Sequence, residues 1–348
     1  MRVDVLGLDA GSYRCHPLHA SDRVWTETNC AADLWIEALH ALGQDPVAGL
    51  GFTLGTDFDG EQWRMFTFPE QTLYELYGIE VDELNVWRPL RWHVAEQLSF
   101  GNLVAFDADA WWLPDTAGLT YHCAHQKTTL LATMVDTARR RLGYLHNAGY
   151  YELEGDDFDA LLPRGAAADA MPPYTMQVRL GGLRRGAPVD LGTVCSLAAG
   201  HLARRPADNP LDRMALRAES ELAVLRDEGI DAFHRWAFGT VRQCGANAEL
   251  AAAFCRYLDH AGVGAGVAAE ATESFQQLAV GMKAAELALA RAMRGRAVDV
   301  GRIFEPLART WATALDSVGA ALADALGGAA AHAAPRDGAV LAGEPAYS

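Results

Sequence analysis

The sequence predicts an α+β protein in which a domain of mixed strands and helices, residues 1–165, precedes a mainly helical domain, residues 166–325. Short apolar runs broken by Gly, Asp and Pro, such as Asn102–Phe106 and Leu130–Val135, are typical of strands and occur in the first part. Beyond about residue 210, long Ala- and Leu-rich stretches have apolar residues every three or four positions, which predicts packed helices. Residues 326–348 are predicted to be a disordered tail.

The individual elements follow from the same patterns. Gly165–Pro173 has the composition of a connector, and Tyr174–Leu180 alternates like a strand after it. The helical stretches expected in the second domain are Met214–Leu225, Ala248–Leu258, Ala268–Met293 and Ile303–Leu326.

Length and composition limit the class of protein. A chain of 348 residues, half of them hydrophobic, is long enough for two domains with buried cores. The 29 basic and 45 acidic residues give a formal charge of −16, which disfavours nucleic acid and anionic membrane surfaces as partners. No stretch has the apolar length of a membrane span or the pattern of a signal peptide. The six scattered cysteines contain no C-x-x-C pair and predict reduced thiols in a cytoplasmic protein.

The segment Thr26–Gly43 predicts a helix with a cysteine in its first turn. Its apolar residues have helical spacing, Gly43 is a stop signal, and Thr28 or Asn29 can serve as the N-cap. In that turn, unpaired N–H groups and the helix dipole stabilise a thiolate and can hold an oxyanion. Cys30 is therefore a candidate nucleophile, although many free cysteines are simply small buried hydrophobic residues.

A second segment contains a candidate base. His125 precedes the β-branched run Lys127–Val135, and an imidazole at the start of a strand can reach towards a helix N-terminus. A basic turn at Arg139–Arg141 and a second strand-like run, Leu142–Leu153, make a hairpin that can return Asn147 to the side of His125. An amide placed there would orient the imidazole. Taken singly, either residue also fits a structural role.

Five strings of the sequence carry a family resemblance. They are W-T-E-T-N-C-A-A-D-L-W-I-E-A-L-H-A-L-G (25–43), E-L-N-V-W-R-P-L (83–90), D-A-W-W-L-P-D-T (109–116), H-Q-K-T-T (125–129) and G-Y-L-H-N-A-G-Y-Y-E-L (143–153). They resemble the bacterial family called domain of unknown function 1839 (DUF1839). The order of features, including the Gly-rich segment Gly49–Gly55, is also similar to the N-terminal-domain family of butirosin biosynthesis protein H. That family has a papain-like fold and moves an aminoacyl group from a carrier-protein thioester to an amine.

The second resemblance implies a papain-like cysteine peptidase/acyltransferase core followed by the helical domain. It implies Cys30 as the nucleophile, His125 as general base and acid, and Asn147 as the orienting residue. It also implies that no cofactor is bound: the donor would be a phosphopantetheine thioester on an acyl carrier protein, and the acceptor a small amine.

The oxyanion donors are less well defined by the resemblance. Papain-like peptidases place a Gln six residues before the cysteine, and Val24 occupies that position here. The backbone N–H of Cys30 is then the expected donor, with the side chains of Asn29 or Thr28 as helpers. The same residues would serve a hydrolase, whether peptidase, amidase or thioesterase, and the chain could also be a non-catalytic partner protein in a biosynthetic cluster.

Three other groups of residues have alternative interpretations. Asp109 is expected to shape its loop or to hydrogen-bond near His125. His122, Cys123 and His125 with Asp107 and Asp109 could ligate zinc, but they crowd one loop and lack a second ligand pair, so no metal is predicted. The basic turn Arg139–Arg141, formed by Arg139, Arg140 and Arg141, could dock an acidic carrier protein or could be a solvated hairpin tip.

Overall fold

The computed structural model describes residues 1–165, 171–264 and 266–327, and the chain forms two compact units. Met1–Leu50 and Phe66–Val194 make the first unit, whereas Gly51–Met65 and the chain from Cys195 onward make the second. The predicted boundary at residue 165 differs from this division because the strand after it joins the sheet of the first unit. Residues 328–348 of the predicted tail and residues 166–170 of the predicted connector lie outside the described residues.

An antiparallel sheet organises the first unit. Its strands within the described residues are β1 (Arg2–Asp4), β2 (Glu80–Glu83), β3 (Leu103–Asp109), β4 (Lys127–Asp136), β5 (Arg141–His146), β6 (Gly149–Glu154) and β7 (Thr175–Arg179). Their order is β2-β7-β3-β4-β5-β6, and β1 pairs with the end of β4 that extends beyond β3. The central strand β4 is buried along its whole length except at Lys127. Together with the helical second unit, this sheet confirms the α+β prediction.

The predicted hairpin is present, but its second run divides. Arg139 and Arg140 lie in the turn between β4 and β5, as the basic run predicts. The stretch predicted as one strand forms β5 and β6, and Asn147 and Ala148 make the tight turn between them. Asn147 has a φ of 45°, in the left-handed region that asparagine tolerates better than most residues.

Helices cover this sheet. They are α1 (Cys30–Ala41), α2 (Glu70–Thr72), which continues into a π-turn at Leu73–Tyr77, α3 (Leu90–Ser99) and α4 (Asp156–Leu161). Helix α1 ends where the stop signal predicts, because Gly43 has a φ of 72° just beyond it.

One face of the sheet is defined by its contact with α3. Gln177, Val104, Ala132 and Tyr144 are successive cross-strand neighbours on β7, β3, β4 and β5, so their side chains share a face. Gln177 donates a hydrogen bond of 2.8 Å to the side-chain oxygen of Gln97 in α3. We call this face the α3 face.

The opposite face is defined by its contact with α1. The next row of neighbours contains Leu131, Leu145 and Tyr150. Tyr13 lies 6.0 Å from Tyr150 between ring centres and donates a 2.6 Å hydrogen bond to Glu37 of α1. Since α1 packs against β4 and β5, we call this the α1 face.

The second unit is helical in the part that the structure describes. Its aromatic core contains Trp311, whose ring stands edge-on to Trp63 at 5.3 Å and to Phe275 at 5.9 Å. Each predicted helix is confirmed, whereas α5 and α7 were not predicted. None of the helices in the described ranges combines the length and apolar character needed to cross a bilayer. The helices are α5 (Leu191–Leu202), which begins in the first unit, α6 (Pro210–Glu228), α7 (Ile230–Ala237), α8 (Gln243–His260), α9 (Val267–Ala292) and α10 (Val300–Ala325).

Candidate functional site

Cys30 is the first residue of α1, as the sequence predicts. Asn29 is the N-cap, and its side-chain oxygen accepts hydrogen bonds from the backbone N–H groups of Ala31 at 3.1 Å and Ala32 at 3.0 Å. Cys30 is partly exposed, whereas Cys195, Cys244 and Cys255 are buried. Burial raises the pKa of the Cys255 thiol to about 12, so that thiol is inert at neutral pH. The helix start therefore places one accessible thiol beside amide groups that favour an anion.

The two residues predicted to help bind an oxyanion have other bonds. The Asn29 amide donates to the backbone oxygen of Phe66 at 3.1 Å, and the Thr28 hydroxyl donates to Asp33. Both side chains are buried, at 4% exposure. Their bonds hold the start of the helix, which leaves the backbone N–H of Cys30 as the expected oxyanion donor.

His125 is paired with Asp109. Its Nδ1 lies 2.5 Å from Asp109 Oδ2, and its ring stacks on Trp111 with centres 4.5 Å apart. The His125 side chain is 72% exposed, so the bond to Asp109 fixes the ring while Nε2 remains open to solvent. Asp109, the last residue of the adjacent strand β3, thus makes the hydrogen bond that the sequence analysis expected near His125.

Asp109 is kept as a carboxylate by its donors. Burial alone would raise the pKa of Asp109, but hydrogen bonds from the His125 ring and from the backbone N–H groups of Trp111 and Gln126 lower it. These bonds are 3.1 Å long from Trp111 and 3.2 Å long from Gln126. A fixed carboxylate on Nδ1 orients an imidazole and stabilises its protonated form.

Asn147 stands at the same end of the sheet as His125 but not beside it. Strands β4 and β5 are antiparallel and Leu131 pairs with Leu145, so extending this register by two residues places Asn147 opposite Thr129. Thr129 is four residues from His125. At about 3.3 Å per residue this is a separation of roughly 13 Å along the strand. In the part of the chain that the structure describes, the hydrogen bond of the His125 ring goes to Asp109, the carboxylate at the end of the adjacent strand, and not to Asn147.

Strand parity places the His125 pair on the α1 face. Asp109 pairs with Lys127, and residues 127, 129 and 131 of β4 alternate onto the face that α1 covers. Helix α1, which begins with Cys30, packs on β4 and β5. The helix that carries the thiol and the His125–Asp109 pair therefore lie on the same face of the sheet.

The arginines predicted to dock a carrier protein lie at the other end of β4. The strand has ten residues between the His125 end and the turn, which corresponds to about 30 Å. Arg140 bonds to Asp159 at 2.7 Å, and Arg141 pairs with Glu152. The turn is therefore partly neutralised and remote from His125 along the strand, which weighs against the docking interpretation.

A second histidine–carboxylate pair, which the sequence analysis missed, lies on the α3 face. His146 Nδ1 is 2.6 Å from Asp115, and its Nε2 is 2.7 Å from the Thr128 hydroxyl. Tyr144 donates to the other oxygen of Asp115 at 2.5 Å. The sequence could have indicated that Tyr144 and His146 share a face, because residues alternate between faces along a strand. It could not have indicated their partner, since Asp115 lies in a distant loop. These buried bonds fasten the loop that leads to His125.

His122 and His125, which were considered as zinc ligands, bond to different carboxylates. His122 Nε2 lies 3.2 Å from Asp157, whereas His125 bonds Asp109. Among the described residues, no three His, Cys, Asp or Glu side chains converge as a metal site.

Comparison with known proteins identifies the family. No curated protein matches the chain significantly. The DUF1839 N-terminal domain matches residues 14–180, which include Cys30, His125 and the whole sheet after β1. The DUF1839 C-terminal domain matches residues 189–320, the helical part. These two matches cover most of the sequence, and the chain belongs to the DUF1839 family.

Proposed function

We propose that this protein is a papain-like cysteine acyltransferase that moves an aminoacyl or related acyl group from a carrier-protein thioester to an amine. The observation that carries the proposal is the arrangement on the α1 face. There an accessible thiol opens a capped helix, and the helix packs on β5 and on β4, the strand that follows His125, whose ring bonds to Asp109. A nucleophile, a base and a group that orients the base are the parts that covalent acyl transfer requires. The resemblance to the butirosin protein H family suggested the donor and the acceptor.

The chemistry has two steps. The Cys30 thiolate attacks the thioester carbonyl, the carbon–sulfur bond to phosphopantetheine breaks, and the pantetheine thiolate leaves. The amine then attacks the acyl-enzyme, His125 Nε2 takes the amine proton, and Cys30 leaves as a thiolate from the new amide. A thiolate leaving group needs little protonation, so one imidazole is sufficient for both steps.

Hydrolysis by the same residues is the second candidate. The exposure of His125 favours it, because a base at 72% exposure is accessible to water as well as to an amine. The two functions differ in whether water or an amine resolves the acyl-enzyme.

An intact-mass experiment tests the proposal. The protein is mixed with a panel of aminoacylated carrier proteins, and we expect an acyl adduct that Cys30→Ala abolishes. Cys123 is an exposed thiol, and Cys123→Ala should leave the adduct intact. His125→Asn should slow loss of the adduct to amines. His122→Asn is the matched control, since His122 is also exposed and also pairs with a carboxylate. Adducts that disappear equally fast without an amine would indicate a hydrolase, and the absence of any adduct on Cys30 would refute both functions.

A further inference from the structure

A buried charge cluster lies along α1 directly after Cys30. Asp33 and Glu37 follow Cys30 by one and two helical turns and so share its side of the helix. His19 sits between them, with Nε2 at 3.3 Å from Asp33 Oδ1 and Nδ1 at 2.5 Å from Glu37 Oε1. The three side chains are at most 1% exposed. Two carboxylates this deeply buried require a compensating charge.

His19 supplies that charge. Burial alone would lower the pKa of His19, but Asp33 and Glu37 outweigh it and raise the pKa to about 9. Burial raises the pKa of Glu37, yet hydrogen bonds from His19 and Tyr13 lower it overall. At neutral pH His19 is therefore an imidazolium, and it lies between the side chains of Asp33 and Glu37. Other groups around Glu37 are the Tyr13 hydroxyl at 2.6 Å and the backbone N–H of His16 at 2.9 Å.

The cluster is connected to the start of the helix. Asp33 Oδ2 accepts the backbone N–H of Thr28 at 2.9 Å, and Asp33 Oδ1 accepts the Thr28 hydroxyl. Thr28 immediately precedes Asn29, the N-cap whose side chain holds the first amides of α1. The carboxylate that faces His19 thus also fixes the residue that leads into the Cys30 turn.

We infer that His19 is a positioning residue for the Cys30 thiolate. Its ring faces Asp33 at 3.3 Å and so places a compensating charge beside the buried carboxyl group one turn from the thiol. Asp33 in turn holds Thr28, the residue before the N-cap Asn29, so that the capped first turn that carries the sulfur keeps its geometry. This inference rests on the proposed function only in taking Cys30 as the reactive thiol.

Alkylation of individual cysteines by iodoacetamide, followed by peptide mass spectrometry, tests the inference. The quantity measured is the rate at pH 6 divided by the rate at pH 8.5, which reports the thiolate fraction and cancels differences in accessibility. For an ordinary thiol this ratio is about one hundredth. Cys15 and Cys123 are exposed and serve as internal references. In the unaltered protein we expect a ratio for Cys30 at least about tenfold above theirs.

Three substitutions separate positioning from general damage. His19→Gln should lower the Cys30 ratio about tenfold, and Thr28→Val, which changes no charge, about threefold, because each weakens the hold on the first turn. Glu37→Gln alters an equally buried residue but leaves the Asp33–Thr28 bonds in place, so it should change the ratio less than about twofold. His260→Gln, an exposed histidine at the end of α8, is the neutral control.

The outcomes distinguish the two proposals. If Cys30 in the unaltered protein behaves like Cys123, the proposed function fails. If Cys30 is reactive and Thr28→Val leaves its ratio unchanged, the positioning role of His19 is refuted while the proposed function stands. The same refutation follows if Glu37→Gln lowers the ratio as much as Thr28→Val, since the effect would then be general destabilisation. Thr28→Val also decides the matter should His19→Gln fail to fold.

Discussion

Replacing His19 should change how the stability of the first unit depends on pH. The pKa of His19 is about 9 in the folded protein against 6.5 for an ordinary histidine, so the folded state holds its proton more tightly than the unfolded chain. The resulting stabilisation is fully present below pH 6.5 and is lost as the pH rises through 9. A difference of that size corresponds to about 3 kcal/mol, at about 1.4 kcal/mol per pKa unit.

The assay is urea unfolding at intervals from about pH 6 to about pH 9.5, analysed for the transition of the first unit. At pH 6 the His19→Gln variant should be less stable by about 3 to 5 kcal/mol, because Asp33 and Glu37 lose their buried counter-charge. The gap should close towards pH 9.5, where His19 in the unaltered protein has also lost its charge. His260→Gln should track the unaltered protein at every pH. A stability gap that stays constant across this range would show that His19 is not an imidazolium in the folded state.

The remaining predictions concern the sheet end and the helix start. Asp109→Asn should slow acyl transfer about a hundredfold or more, because the His125 ring loses its orienting carboxylate. Asp157→Asn, which removes the carboxylate that faces His122, should not slow it. Equal effects of the two substitutions on turnover would count against a role for the His125–Asp109 pair. Asn29→Ala should cost about 1 kcal/mol in urea unfolding, since two amides of α1 lose their acceptor, and an unchanged midpoint would contradict the cap. Replacing Arg140 and Arg141 together by Ala should leave transfer from a carrier protein within about twofold because the turn is about 30 Å away along β4, and a large rise in KM for the carrier would restore the docking role.

Local patterns were sufficient to predict the elements near the site. The spacing of apolar residues, the capping residue Asn29 and the stop at Gly43 predicted α1 with Cys30 in its first turn, and the structure has this helix. The β-branched run before Asp136 likewise predicted β4. Helical and strand periodicity depend on neighbours a few positions apart, so these features are contained in a short window of sequence.

The partners of the charged groups were determined by the tertiary structure. His125 bonds Asp109 because β3 and β4 pair in one register, and a shift of two residues would offer Asp107 or Trp111 instead. His146 hydrogen-bonds to Asp115, in a loop 31 residues away in sequence, and Glu37 hydrogen-bonds to His19, 18 residues away. The sequence determined where the thiol and the imidazoles stand in their own elements. Which carboxylate each imidazole meets depends on strand register and on burial between distant segments, which only the folded chain brings together.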